Sequence, residues 1–136
     1  GLGLPSIVSS RFAECVIWSD YLPQAQAWMR ENILLQGITN IQCRLLDFTN
    51  VSDEADADIL LLSDISYDPK LFPHLSKLLH RFFKKKRTIL LSTPQRLTAA
   101  GFIEQIQSHI AHREDRTILY DGKKTEISLF VLKESQ

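Results

Sequence analysis

The stretch "RTILYDGKKTEISLFVL" (116–132) decides the fold. Two apolar runs flank Asp121-Gly122, a pair that tolerates positive φ, so the spacing predicts two strands joined as a hairpin. Upstream of it, strand and helix signals alternate. "TAAGFIEQIQSHIAH" (98–112) predicts a helix with Phe102, Ile103, Ile106 and Ile110 turned inward, and "RTILLSTP" (87–94) a strand. "DPKLFPHLSKLLHRFFKKK" (68–86) predicts a helix with a stripe of Leu71, Leu75, Leu78, Leu79 and Phe82; Pro69 sits near its start and Pro73 in its first turns. "ADILLLSDISY" (57–67) is the most apolar stretch, as expected of a parallel strand covered on both faces. "IQCRLLDF" (41–48) and "CVIWSD" (15–20) read as strands. Between them "LPQAQAWMRENILLQ" (22–36) reads as a helix, with Leu22, Ala25, Met29 and Ile33 on one face and Gly37 as its stop. "PSIVSSRFA" (5–13) is a short helix with Pro5 in its first turn. The alternation argues for an α/β fold, a mostly parallel sheet with helices on both faces. The closing hairpin adds antiparallel character at one edge, where flavodoxin-like folds usually end on a helix.

The chain has 136 residues, which suits a single domain over 1–136. At 44% hydrophobic and 24% charged it can bury a core. Sixteen basic residues balance sixteen acidic ones, leaving no global field to draw in nucleic acid or an anionic membrane, and neither is expected as a partner. The run "KKKR" (84–87) lies at a helix C-terminus, where cations oppose the dipole and are solvated. No apolar run approaches the ~20 residues of a membrane span, and no signal peptide is legible. Cys15 and Cys43 lack any CxxC or Cys/His spacing and read as free thiols of a reducing, cytoplasmic compartment. His74, His80, His109 and His112 form no metal-ligand pair, so no metal site is expected. Trp18 and Trp28 read as packing residues.

Four further pieces stand in order along the chain: "GLGLPSI" (1–7), "WSDY" (18–21), "LLDF" (45–48) and "LLLSDISYDP" (60–69). Together with the strand–helix order they resemble the class I, seven-stranded S-adenosylmethionine-dependent methyltransferases, over essentially the whole chain. Within that class they resemble the branch carrying a D-x-x-Y motif, here Asp64-Ile65-Ser66-Tyr67, which includes many protein-lysine methyltransferases and nicotinamide-N-methyltransferase-like proteins. The resemblance implies a Rossmann-like sheet and S-adenosyl-L-methionine as cofactor.

It also implies roles, each of which has a physical basis. Gly1 and Gly3 would let backbone approach the amino-acid part of the cofactor, next to a helix N-terminus that favours its carboxylate. Asp20, with Tyr21 beside it, ends a strand where an acid can accept both ribose hydroxyls. Asp47 and Phe48, read as the end of the next strand, would offer the adenine a hydrogen bond and a stacking face. Ser63 would touch the cofactor. Asp64 and Tyr67 would place the substrate amine, the first by a charge-assisted hydrogen bond and the second by its hydroxyl or ring. Thr93-Pro94 reads equally well as a turn and as a lining of the substrate side. Methyl transfer from a sulfonium needs position and an unprotonated nucleophile rather than a hydrolase triad.

In the family, a strand ending in acid-x-G runs straight into the glycine turn and lies between the second and fourth strands. Nothing precedes Gly1 here. Unpaired buried backbone groups cost about 1–3 kcal/mol each, so the expectation is that a longer chain carries that strand; the alternative is direct pairing of 15–20 with 57–67. The function expected is methyl transfer to a protein lysine. A small amine as acceptor, and a catalytically silent Rossmann-like binding domain, are the alternatives.

Overall fold

A computed structural model describes residues 3–50, 56–65, 68–95 and 97–135. The chain divides into two compact units, residues 1–51 and 52–136.

The first unit holds α1 (Leu4–Ser9), β1 (Val16–Asp20), α2 (Pro23–Leu35), β2 (Ile41–Leu45) and a 3₁₀ turn, Phe48–Asn50. β1 and β2 pair in parallel, Val16 opposite Ile41 through Asp20 opposite Leu45. Its core is Val16, Trp18, Ala25, Met29 and Ile41, with Ile7, Ile33, Ile38 and Cys43 packed against it. Burial pushes the Cys43 thiol above its ordinary value, against the pull of Arg30. α2 ends as its sequence signal predicts. Gly37 takes φ 63°, its N–H bonds Leu34 O, and the Ile38 N–H bonds Ile33 O, so a left-handed residue closes the last turn. Leu22 and Trp28 are exceptions to the expected packing: both stay exposed, because the buried stripe of α2 is confined to Ala25 and Met29.

The second unit holds β3 (Ile59–Ser63), a 3₁₀ turn (Pro69–Leu71), α3 (Phe72–Lys84), β4 (Thr88–Pro94), α4 (Leu97–Ile106), a 3₁₀ turn (Gln107–His109), β5 (Ile110–Tyr120) and β6 (Lys123–Leu132). Its sheet runs β3-β4-β6-β5. β3 and β4 are parallel; β6 pairs antiparallel with both β4 and β5. The hairpin turn is Asp121-Gly122, both at positive φ. One face of the sheet is buried through Ile89, Leu91 and Thr93 of β4 and Ser128, Phe130 and Leu132 of β6. α3 contributes Phe72, Leu75, Leu78, Leu79, Phe82 and Phe83 to the buried set, and α4 contributes Ala99, Phe102 and Ile106. Phe72 and Phe102 meet with ring centroids 5.3 Å apart, which joins α3 to α4.

Three readings are corrected. The helix predicted over 68–86 is shorter: Pro69 opens a 3₁₀ turn capped by the Asp68 carboxylate, and α3 spans Phe72–Lys84 with Pro73 in its first turn. The helix predicted over 98–112 stops at Ile106, and Ile110 onward is strand. The polar run "AHREDR" (111–116) fits a helix surface and an edge strand equally well, and the ladder offered by β6 decides for the strand. β3 is not covered on both faces: Ile59 is 53% exposed and Leu61 38%.

The basic run resolves into separate tasks. Lys84 ends α3, and Lys86 takes φ 55°. Arg87 bonds Asp58 at 2.7 Å and Asp56 at 3.3 Å, with Lys85 3.6 Å from Asp56. The Arg87 hydrogen bond is the main reason the Asp56 carboxyl sits below its ordinary value.

Candidate active site

In an open α/β sheet, ligands bind outside the C-terminal ends of the parallel strands. Each unit carries residues of the expected site at that edge.

In the first unit, β1 ends at Asp20, and Leu46 N–H donates to the Asp20 carbonyl across to the β2 side (2.9 Å). The Asp20 carboxylate accepts from the Leu22 N–H at 3.0 Å, which fixes the turn into α2. Partial burial works against its charge. Hydrogen bonds to the carboxylate outweigh that, the Leu22 and Tyr21 backbone N–H groups among them, and hold it below the ordinary carboxylate value. Tyr21 stands exposed in the same turn. Asp47 and Phe48 do not end a strand: β2 stops at Leu45. The Asp47 carboxylate instead accepts from the Thr49 N–H (2.9 Å) and hydroxyl (2.7 Å), because its short side chain competes for the backbone and starts the 3₁₀ turn that Phe48 opens. The two residues still follow the C-terminal end of β2, with Phe48 half-buried.

Gly1 lies outside the described residues. Gly3 is buried at φ 79° as the N-cap of α1, and no side chain caps that helix. A Cβ there would overlap the Met29 thioether and come within 3.1 Å of Trp18 Nε1. The space in front of Gly3 is thus filled by the protein's own core, a packing reason for glycine that the sequence did not disclose.

In the second unit, Ser63 is the last residue of β3 and pairs with Ser92. Asp64 follows at φ 49°, and its N–H donates to the Ser92 carbonyl at 2.8 Å. Left-handed backbone costs a non-glycine residue roughly 1–2 kcal/mol, and such residues gather at functional sites. The turn exposes Asp64 at the sheet edge. Tyr67 and Ser66 lie outside the described residues. Beside Asp64, β4 ends at Thr93-Pro94, Thr93 buried on the covered face.

The sequence reading missed a polar group at this same edge. Ser128 is buried, and its hydroxyl donates to Asp115 at 2.7 Å. Gln95 Nε2 donates to the Ser128 oxygen at 3.1 Å, and Arg113 Nε to Asp115 at 3.0 Å. The signal available was polar residues at inward strand positions, Thr93 and Ser128, which the hairpin pattern by itself does not rank. Among the described residues no group of three or more His, Cys, Asp or Glu side chains is placed to hold a metal. No helix among them is long and apolar enough to cross a membrane.

The same architecture occurs in solved methyltransferases. The N-methyltransferase NodS from Bradyrhizobium japonicum WM9 matches with TM-score 0.73 at 11% identity, over 98% of this chain and 82% of that one. NodS in complex with S-adenosyl-l-homocysteine matches with TM-score 0.71 at 11% identity, over 98% and 74%. An rRNA methylase from Streptococcus thermophilus matches with TM-score 0.67 at 12% identity, over 98% and 82%. At such identities the likeness is one of fold. No curated protein matches the chain. The fold is thus the Rossmann-like one of the S-adenosylmethionine-dependent methyltransferases, mixed α/β with antiparallel closing strands. The family model described as lysine methyltransferase matches residues 1–109, and the chain belongs to that family: it is a methyltransferase whose methyl donor is S-adenosylmethionine.

Proposed function

We propose that this enzyme transfers a methyl group to a lysine amine of a protein substrate, and that it belongs to the D-x-x-Y branch. The observation that carries the reading is Asp64. It is a carboxylate exposed at the C-terminal end of β3 on strained, left-handed backbone tied to Ser92. A carboxylate there can hold an ammonium by a charge-assisted hydrogen bond. The family description, which names lysine, supports the same substrate class. Tyr67, three residues on, is the proposed second contact to the amine.

S-adenosylmethionine supplies an electrophilic methyl on a sulfonium. The chain's part is to bind and orient. The cradle fits this cofactor in one respect: an ionised Asp20 at the end of β1 suits a pair of ribose hydroxyls. Tyr21, Asp47 and Phe48 border the same edge and are the proposed adenine side, with Gly1 and Gly3 beside the methionine part and Ser63 at the border with the substrate. The two free cysteines suit a reducing compartment, and we place the enzyme in the cytoplasm.

The purified protein, incubated with methyl-labelled S-adenosylmethionine and a protein extract, is expected to label a protein, with the mark on lysine Nζ by mass spectrometry. Label only in small amines, or binding of S-adenosylhomocysteine without any transfer, overturns the reading.

A further inference from the structure

Where β4, β6 and β5 lie side by side, one row is polar beside an apolar face: Thr93 after Ile89 and Leu91 on β4, Ser128 beside Phe130 and Leu132 on β6, and the exposed Asp115 of β5 opposite Ser128. Thr93 and Ser128 are themselves paired, so the three stand in one row at the C-terminal end of β4. Gln95 leaves β4 directly above that row, its backbone N–H on the Glu126 carbonyl at 2.9 Å.

The donor and acceptor order of this row is determined. Asp115 is held ionised, first by the Arg113 hydrogen bond and then by Ser128, and an ionised carboxylate only accepts. The Ser128 hydroxyl spends its one proton on Asp115, so its oxygen can only accept from Gln95 and from Arg113 Nη2, 3.4 Å away. Gln95 therefore has to present its NH₂ group inward. Its side-chain carbonyl, on an exposed residue, makes no hydrogen bond to the described residues. Asp64, tied to Ser92 three residues before Gln95, lies at the same sheet edge.

We propose that Gln95 is a substrate-binding residue whose side-chain carbonyl accepts an N–H of the acceptor amine, and that Ser128 and Asp115 are positioning residues that set the direction of its amide. This rests on the amine-methylation reading above. A carbonyl is neutral and accepts only, so it holds an amine in line without stabilising its charged form as a carboxylate does. An amide whose flip is dictated by a buried hydroxyl and a paired carboxylate is also pre-organised, which lowers the ordering needed on binding.

The test uses the full chain, S-adenosylmethionine, and a peptide carrying the lysine identified in the labelling experiment. Gln95→Ala is expected to raise KM for the peptide about tenfold or more while S-adenosylhomocysteine affinity stays within twofold. Ser128→Ala should move KM in the same direction, and Ser128→Thr, which keeps the hydroxyl, should restore it. A Gln95→Ala enzyme with normal circular dichroism and unchanged KM overturns the proposal, whatever Ser128→Ala does to folding. If the labelled acceptor is a small amine instead, the lysine reading fails alone, and the same variants are measured on that amine. If no acceptor is methylated, both fail.

Discussion

Ser128 and Asp115 face each other across the β5–β6 ladder, and the serine hydroxyl donates to the carboxylate at 2.7 Å. The pair stands at the polar end of a β6 face that continues as Phe130 and Leu132, and Arg113 completes it, with its guanidinium 5.5 Å from the centre of the Phe130 ring.

That pairing makes stability depend on acid. The folded-state pKa of Asp115 is lowered, chiefly by Arg113 and then by Ser128. Its stabilisation is fully present above the unfolded value, near 3.8, and disappears as pH falls through the lower folded value. Asp115→Asn should therefore flatten the acid limb of a denaturation midpoint measured from pH 6 to pH 2. An unaltered acid limb would show that the carboxylate is not coupled to folding.

Gly3→Ala should destabilise the protein by about 2–5 kcal/mol, the sum of left-handed strain and overpacking against Met29. Met29 is only 1% exposed, so its thioether has little room to move aside. Urea unfolding measures this. Gly3→Ala combined with Met29→Ala should cost less than the sum of the two single changes, since the second clears the space the first needs.

Lys86 sits at φ 55° where α3 ends, with Arg87 N–H on Phe82 O (3.0 Å) and its own N–H on Phe83 O (2.7 Å). This is the closure that Gly37 makes for α2, built with a side chain that resists it. Lys86→Gly should stabilise the protein by about 0.5–1 kcal/mol, the relief of strain less the entropy glycine adds to the unfolded chain, or roughly 2–4 °C in Tm. A lower Tm would mean the lysine makes a compensating contact.

Asp20 and Asp64 should separate binding from transfer. Asp20→Ala is expected to weaken S-adenosylhomocysteine by about 1.5–3 kcal/mol, the range for hydrogen bonds to a charged group, as read by calorimetry. Asp64→Asn keeps the shape and loses the charge, so it should bind S-adenosylhomocysteine nearly normally and transfer methyl groups up to ~100-fold more slowly. Equal affinity in the first variant, or full activity in the second, removes the corresponding role.

Local chemistry by itself determined much of this protein. Asp121-Gly122 dictated a hairpin because both residues accept positive φ, and the stripe Leu75, Leu78, Leu79, Phe82 dictated which side of α3 is buried. The ends of β1 and β3 put Asp20 and Asp64 at a sheet edge, since a strand's polar terminator is legible from its apolar run. Only tertiary structure decided the rest, because it depends on partners distant in sequence. Ile110 to Asp115 became strand when β6 offered a ladder that no local propensity foretold. Asp47 became a turn cap once β2 ended at Leu45. Gly3 turned out to be required by Met29, twenty-six residues on, and Gln95 by Ser128, thirty-three residues on. A side chain's own chemistry is local, but the atoms that occupy or orient the space around it arrive from elsewhere in the fold.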